Sequence, residues 1–397
     1  MINNFISRTR AVSQQRRLAA ASSFKVSYLS QKTITKPSII RYSTSNDNTV
    51  NSRMKSSLKE YIPGFLKRIQ ECNLGSEHLL TLTPLIVDGK IVAKLVPRSF
   101  NILKEFTDCF ESSENSGPIG FLKFLPTFNT SDLRTKAVSK VTSKLRDRRV
   151  ITGWRDELYP VSSAFREPPD FLLERAAVTF FGVKAYGVHV NGYVIRSPST
   201  DLTEAMGKGN VAGSVGGEEK PRLRGREEDE EGLFQGSCKQ DPIFMWVARR
   251  SKTKPTWPGM LDHIVAGGQP YNISCSANVL KECAEEAGMS DDLARLAHPV
   301  GIVSYENVDP NVGYKHDVLF CYDIQLPEDF TPTPMDGEVE SFQLLPIQEV
   351  AKLVANLPDG TFKSNCCLVI VDFFIRKGLL SPDWPGYLDL VQGLRKA

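Results

Sequence analysis

At 397 residues the chain is long enough for two domains and a sizeable core, and its 41% hydrophobic and 24% charged residues are ordinary for a globular protein. A net charge of only +3 argues against nucleic acid as a partner. No run reaches the roughly 18 apolar residues that span a bilayer, so a soluble protein without a membrane partner is expected.

The charge is unevenly placed. From Met1 to Ser45 there is no Asp or Glu, while Arg8, Arg10, Arg16, Arg17, Lys25, Lys32, Lys36 and Arg41 stand among Ser, Thr and Ala. That composition describes a mitochondrial transit peptide, and "IIRYSTSN" at 39–46 supplies a processing site. Residues 1–50 are therefore read as a matrix-targeting leader, with a disordered basic tail on a cytoplasmic protein as the alternative.

Next, "SLKEYIPGFLKRIQECN" (57–73) spaces its apolar residues as a helix does, and "LIVDGKIVAKLV" (85–96) predicts a hairpin turning on Asp88-Gly89. A helix is expected over Ser99–Phe110. A second, basic and amphipathic, is expected within 128–149, with Ser131 or Asp132 as its N-cap and a solvated outer face. The segment "VITGWRDELYPVSS" (150–163) reads as loop and strand, its Trp, Arg and acids serving a structural network or a substrate contact. Residues 55–175 thus form a small α+β accessory domain.

The second domain is placed at 176–378. "AAVTFFGVKAYGVHVNGYVIRS" (176–197) is β-rich, with Asn191-Gly192 read as a tight turn, and "PIFMWVARRS" (242–251) is another strand. Between them, 198–240 combines eight glycines with the acidic run "EEDEE", too few apolar residues to offset the entropy of ordering. It is read as a disordered insertion at a hairpin tip. "PVGIVSYENV" and "DVLFCYDIQL" are strands; 336–354 gives turn, strand and helix; 364–378 is an apolar helix stopped by Gly378; 379–397 is a C-terminal tail. Irregular alternation of strands and helices suggests a mixed-sheet α/β fold. The eight cysteines form no C-x-x-C pair, which supports neither a disulfide framework nor a zinc motif. Vicinal Cys366 and Cys367 are read as core.

One stretch carries chemistry: "AGGQPYNISCSANVLKECAEEAGMS" from Ala266. On a helix Glu282, Glu285 and Glu286 fall within about 100° of arc, and like charges so spaced repel. A cation relieves that repulsion, and an oxygen-only ligand set suits a hard ion, Mg²⁺ or Mn²⁺. The pair Gly267-Gly268 lets backbone approach the ion, and Gly288 ends the helix.

The same residues carry a resemblance. G267-x5-I273-x7-K281-E282-C283-x-E285-E286-x-G288-M289 resembles the Nudix box, G-x5-E-x7-R-E-U-x-E-E-x-G-U, where U is bulky and apolar. It departs at Ile273, where the family has a glutamate that braces the loop, and at Lys281, where it has arginine. "GWRDELYPV", "YGVHVNGYV", "WVARRSKTKPTWPGMLDHIVAGG" and "DGEVESFQL" look like the eukaryotic branch named thiamine-pyrophosphokinase-related. The resemblance implies an α/β/α sandwich with an accessory domain before it. It implies hydrolysis of thiamine diphosphate and its oxo and oxy analogues, or of oxidised nucleoside diphosphates such as 8-oxo-dGDP.

The expected assignment gives Glu282 and Glu286 to the Mg²⁺, with Glu285 completing or bridging a second ion and the Gly268 carbonyl as a further ligand. Glu285, Glu338 and Glu340 are the candidate general bases, with Glu285 and Glu286 the favoured catalytic pair. Trp257, Tyr271, Tyr305 and Tyr314 are candidates to stack on the substrate ring, and Lys315 and Arg249 to meet phosphate. A different class of reading, a catalytically silent binding module, draws its support from Ile273.

Overall fold

The computed structural model describes residues 58–113, 120–196, 242–356 and 361–396. The leader at 1–50 and the expected disordered insertion at 198–240 lie outside the described residues.

Among the described residues the first α-helix is α1 (Ile62–Cys72), and a four-stranded sheet follows it. Its strands are β1 (Thr83–Val87), β2 (Lys90–Leu95), β3 (Phe110–Ser113) and β4 (Phe121–Phe124), in the order β2-β1-β4-β3. Asp88 and Gly89 both take positive φ, 47° and 79°, the conformation that a two-residue hairpin demands. Arg134 locks the turn by donating to both Asp88 carboxylate oxygens, at 2.9 and 2.7 Å.

Helix α2 (Pro97–Leu103) is shorter than the helix expected over Ser99–Phe110, and Phe110 instead opens β3. Phe106 and Cys109 repeat at a helical interval, yet they reach the same buried cluster from successive turns. Helix α3 (Ser131–Asp147) is capped by Thr130, whose hydroxyl accepts from the Leu133 N–H; neither Ser131 nor Asp132 caps it. The hairpin β5 (Leu158–Val161) and β6 (Phe171–Glu174), with the short helix α4 (Val178–Phe181), leads into the second sheet.

That sheet has seven strands: β7 (Lys184–Ile195), β8 (Ile243–Arg250), β9 (Leu261–Asp262), β10 (Val265–Gly268), β11 (His298–Asp309), β12 (Gly313–Gln325) and β13 (Val339–Pro346). The path runs β11-β12-β7-β8-β13, with β10 on β7 and β9 on β8. The β7–β12 pair is parallel and the others are antiparallel, so the sheet is mixed.

Asn191-Gly192 is not a turn; β7 runs straight through it. Asn191 is buried and donates to Asp323, while a Cβ on Gly192 would stand 2.9 Å from side-chain carbons of Ile264. This glycine answers to close packing rather than to chain reversal.

Alternation along β7 feeds two cores. Val188, Val190 and Val194 face one side, together with Val279, Cys283 and Ala287 of helix α5 (Cys275–Ala287). Tyr193, Leu319 and Cys321 face the other. There a second helical layer packs: α1 again, then α7 (Ile347–Asn356), α8 (Ser364–Arg376) and α9 (Tyr387–Gly393), the short α6 (Asp291–Ala294) having followed α5. The result is an α/β/α sandwich.

Phe65 of α1 meets Phe374 of α8 with ring centroids 5.6 Å apart. The C-terminal segment holds α9, whose Leu390 is fully buried. No helix among the described residues is long and apolar enough to cross a membrane.

Candidate active site

Helix α5 begins where Ser274 accepts from the Ala277 N–H and ends at Gly288, φ 64°. There the Gly288 and Met289 N–H groups close back on Ala284 and Cys283 carbonyls. Val279, Cys283 and Ala287 anchor one face in the core, which fixes where the acids point.

The three glutamates sit in three environments. Glu285 is half exposed and pairs with Lys281 at 2.5 Å. Glu282 is largely covered, with its side chain 14% exposed and Lys281 3.4 Å away. Glu286 is buried, and its Oε2 accepts from the Ala266 N–H at 2.9 Å. Burial raises the carboxyls of both Glu282 and Glu286 above the usual range. For Glu286 the rise reaches about 8, with the charges of Asp262, Glu282 and Glu338 adding to burial and the Ala266 N–H opposing it.

The glycine pair is built against these acids. A Cβ on Gly267 would stand 2.3 Å from Glu282 Cδ, so the carboxylate rests directly on the backbone there. At Gly268 a Cβ would stand 2.7 Å from Nη2 of Arg175, and the Gly268 carbonyl accepts from Asn278 at 2.9 Å.

Ile273 leaves no brace of the expected acid–arginine kind. In its place Gln269, itself buried, donates to the Ile273 carbonyl at 2.8 Å, and Asn278 reaches the Gly268 carbonyl. Neutral amides tie the loop to the helix, and Lys281 is left to serve the glutamates.

Two arginines border the site: Arg155, left open as a structural or substrate contact in the sequence reading, and Arg175, which it missed. Arg175 pairs with Glu157 at 2.7 Å beside Gly268. The backbone of Arg155 is held by the Glu174 carboxylate at 3.0 Å. The charge of Glu338 acts on Arg155 as well as on Glu282 and Glu286, which puts that loop acid near the group. Glu338 is ion-paired with Lys254, and Glu340 lies 3.8 Å from Lys252. The signal for Arg155 was present in "GWRDELYPV", but nothing in it says which helix the loop will face, and no motif marks Arg175.

The ring and phosphate candidates separate. Tyr305 and Tyr314 are buried, with their hydroxyls on Asp317 and Glu306. Lys315 lies over the Tyr305 ring and pairs with Asp317. Arg249 donates to the Gly259 carbonyl. The two tyrosines are closed off from any open site, while Lys315 and Arg249 are engaged by protein partners; Trp257 and Tyr271 remain exposed.

Helix acids of this kind, partly desolvated and held against a glycine backbone, form a set of carboxylate oxygens fit for a divalent cation, with cationic side chains beside them fit for phosphate.

Comparison with known proteins gives a consistent result. The family model described as "NUDIX domain" matches residues 236–365, and one described as "Domain of unknown function (DUF4743)" matches residues 64–185. "Nudix hydrolase 20, chloroplastic" of Arabidopsis thaliana is 41% identical over 338 residues, covering 84% of this chain and 78% of that one. "Nudix hydrolase 24, chloroplastic" of the same plant is 39% identical over 354 residues, covering 87% and 84%. Among solved structures, the MutT protein of Methanosarcina mazei aligns with 49% of this chain and 95% of its own, at 14% identity and a TM-score of 0.28.

Proposed function

The chain belongs to the Nudix hydrolase family and is a diphosphate hydrolase of the Nudix type; from that premise we propose that its substrates are thiamine diphosphate-like compounds, cleaved to monophosphate and orthophosphate with Mg²⁺ or Mn²⁺. The observation that carries the metal assignment is Glu286: a buried carboxylate with a single N–H donor, pushed up to about 8, beside a second acid pressed on Gly267. A cation makes such a pair tolerable in its charged form, so the donor set fits the ion that the family uses.

In this reading Glu282 and Glu286 would hold the cation, with Glu285 completing the set and the Gly268 carbonyl as a further ligand. When bound, the ion supplies charge neutralisation at the diphosphate and lowers the pKa of a coordinated water. Lys281 keeps Glu285 placed at the exposed end of the group. Arg175 and Arg155 meet phosphate oxygens and resist the charge that develops there. Glu285 or Glu338 takes the proton of the attacking water. Its oxygen bonds to phosphorus, the bridging P–O bond breaks, and orthophosphate separates from the monophosphate. A silent binding module is disfavoured because Gln269 and Asn278 make good the brace that Ile273 lacks.

The substrate class rests on the resemblance carried by the accessory segment and the Nudix domain together. Phosphate release from oxythiamine diphosphate, thiamine diphosphate and 8-oxo-dGDP, with Mg²⁺ and with EDTA, tests it. Faster turnover of the thiamine compounds supports the proposal. Preference for 8-oxo-dGDP replaces it with the nucleotide reading, and no EDTA-sensitive release with any of them defeats the metal assignment. Two relatives are named as chloroplastic and residues 1–45 are basic and acid-free, which supports organelle import. The mitochondrial matrix is the proposed address, and it fails if a reporter fused to residues 1–50 stays in the cytoplasm.

A further inference from the structure

On the face of the central sheet opposite α5 lies a second polar cluster that the hydrolase chemistry does not use. We propose that His189, His263 and Cys366 form a buried site for a soft divalent cation, zinc above all, separate from the oxygen site of the glutamates.

The three residues come from three elements. His189 alternates with Val188 and Val190 on β7, which turns it from the α5 core towards the α8 layer. His263 joins β9 to β10, and Cys366 lies in the first turn of α8. One ligand atom from each lies within 4.8 Å of the other two. The imidazole rings stand 5.0 Å apart at 78°, an edge-on arrangement. All three side chains are at least nine-tenths buried, at 4%, 3% and 0% exposure.

The decisive feature is what these groups lack. Nδ1 of His189 and both ring nitrogens of His263 are buried without a hydrogen-bond partner. Buried polar atoms are almost always hydrogen-bonded, and three left unsatisfied in one place call for an occupant. The same spot carries no oxygen set of the kind Mg²⁺ prefers. Two imidazoles and a sulfur select zinc, and they discriminate against the ion that carboxylates choose.

The surroundings favour the metal-binding form of both histidines. Burial holds them below their usual range, hence neutral with lone pairs free. Burial and the Asp262 carboxylate push the Cys366 thiol well above its usual range, so its proton must be displaced by the ion itself. Its sulfur lies 2.7 Å from Oδ1 of Asp262, the oxygen best placed to complete four ligands. Oδ2 of the same carboxylate is fixed by Arg250 at 2.8 Å and Lys363 at 3.4 Å. On loading, the Cys366 S–H bond gives its proton to solvent and the thiolate bonds the ion. The sequence shows no zinc motif because the ligands are 74 and 103 residues apart (263 − 189; 366 − 263) and only the sheet brings them together.

The site would clasp β7, the strap that feeds Gly267-Gly268, and α8. The test uses the full-length protein, stripped with a chelator and then titrated with Co²⁺ and Zn²⁺. Co²⁺ is expected to give a thiolate-to-metal charge-transfer band in the near ultraviolet, which added Zn²⁺ abolishes stoichiometrically. Cys366→Ser should remove the band and His263→Gln should weaken Zn²⁺ affinity at least tenfold. Glu286→Gln should leave the band unchanged, which separates this site from the hydrolase reading. Because the band is read on the wild type, a misfolding variant does not blunt the test. A folded wild-type protein that shows no such band, or a band that survives Cys366→Ser, overturns the proposal.

Discussion

Replacing Glu286 by Gln exposes the cost of keeping a carboxylate where no water reaches it. Its folded pKa of about 8 lies above the ordinary carboxyl value of 4.5, so across that window the folded state retains a proton that the unfolded state has released. Stability therefore falls as pH rises from 4.5 towards 8. At about 1.4 kcal/mol per pH unit, this group alone weakens the metal-free protein by roughly 2–3 kcal/mol between about pH 5 and about pH 7.

Glutamine keeps the shape and still accepts from Ala266, but it has no proton to lose. Urea unfolding of both proteins in EDTA, at matched pH values, measures the difference, in which titrating groups not coupled to Glu286 cancel. The wild type is expected to lose about 2–3 kcal/mol relative to Glu286→Gln over that interval, and saturating Mg²⁺ to restore it in the wild type alone. Parallel pH curves for the two proteins would refute the reasoning, because Glu286 would then titrate alike folded and unfolded.

Three further outcomes follow from named contacts. Gly267→Ala puts a methyl 2.3 Å from Glu282 Cδ, so a carboxylate shift of about 1 Å should lower kcat/KM by about 100-fold in a steady-state phosphate-release assay while the fold persists. Arg175→Ala should raise KM for a diphosphate substrate about tenfold or more, yet change unfolding free energy by less than about 1 kcal/mol, since its Glu157 partner is well exposed. Gly192→Ala forces a methyl to 2.9 Å from Ile264 carbons and should destabilise by about 1–3 kcal/mol in urea without altering KM.

Local chemistry was readable where the cause is local. Asp88-Gly89 makes its hairpin because few other dipeptides accept two positive φ values, and Gly288 ends α5 for the same reason. The three glutamates were legible because a helix fixes which side chains share a face. Asn191-Gly192 misled because the same dipeptide marks a turn when exposed and a tight crossing when a neighbour such as Ile264 presses on it. Tyr305 and Tyr314 resembled stacking residues only until Asp317 and Glu306 claimed their hydroxyls. Arg175 escaped notice, and the role of Arg155 stayed open, because a position beside the glycine loop and its acids is a property of tertiary packing, absent from any window of the chain.

Helix α1 has a practical bearing on how this enzyme is handled. It precedes the four-stranded sheet, yet Phe65 is sealed against Phe374 and Ile69 meets Gly393 near the opposite end of the chain. A clone trimmed to the catalytic match at 236–365 would lack α1, β7 and α9, baring a wide apolar wall to water. Insolubility of such a fragment would reflect the severed scaffold and would say nothing about its chemistry.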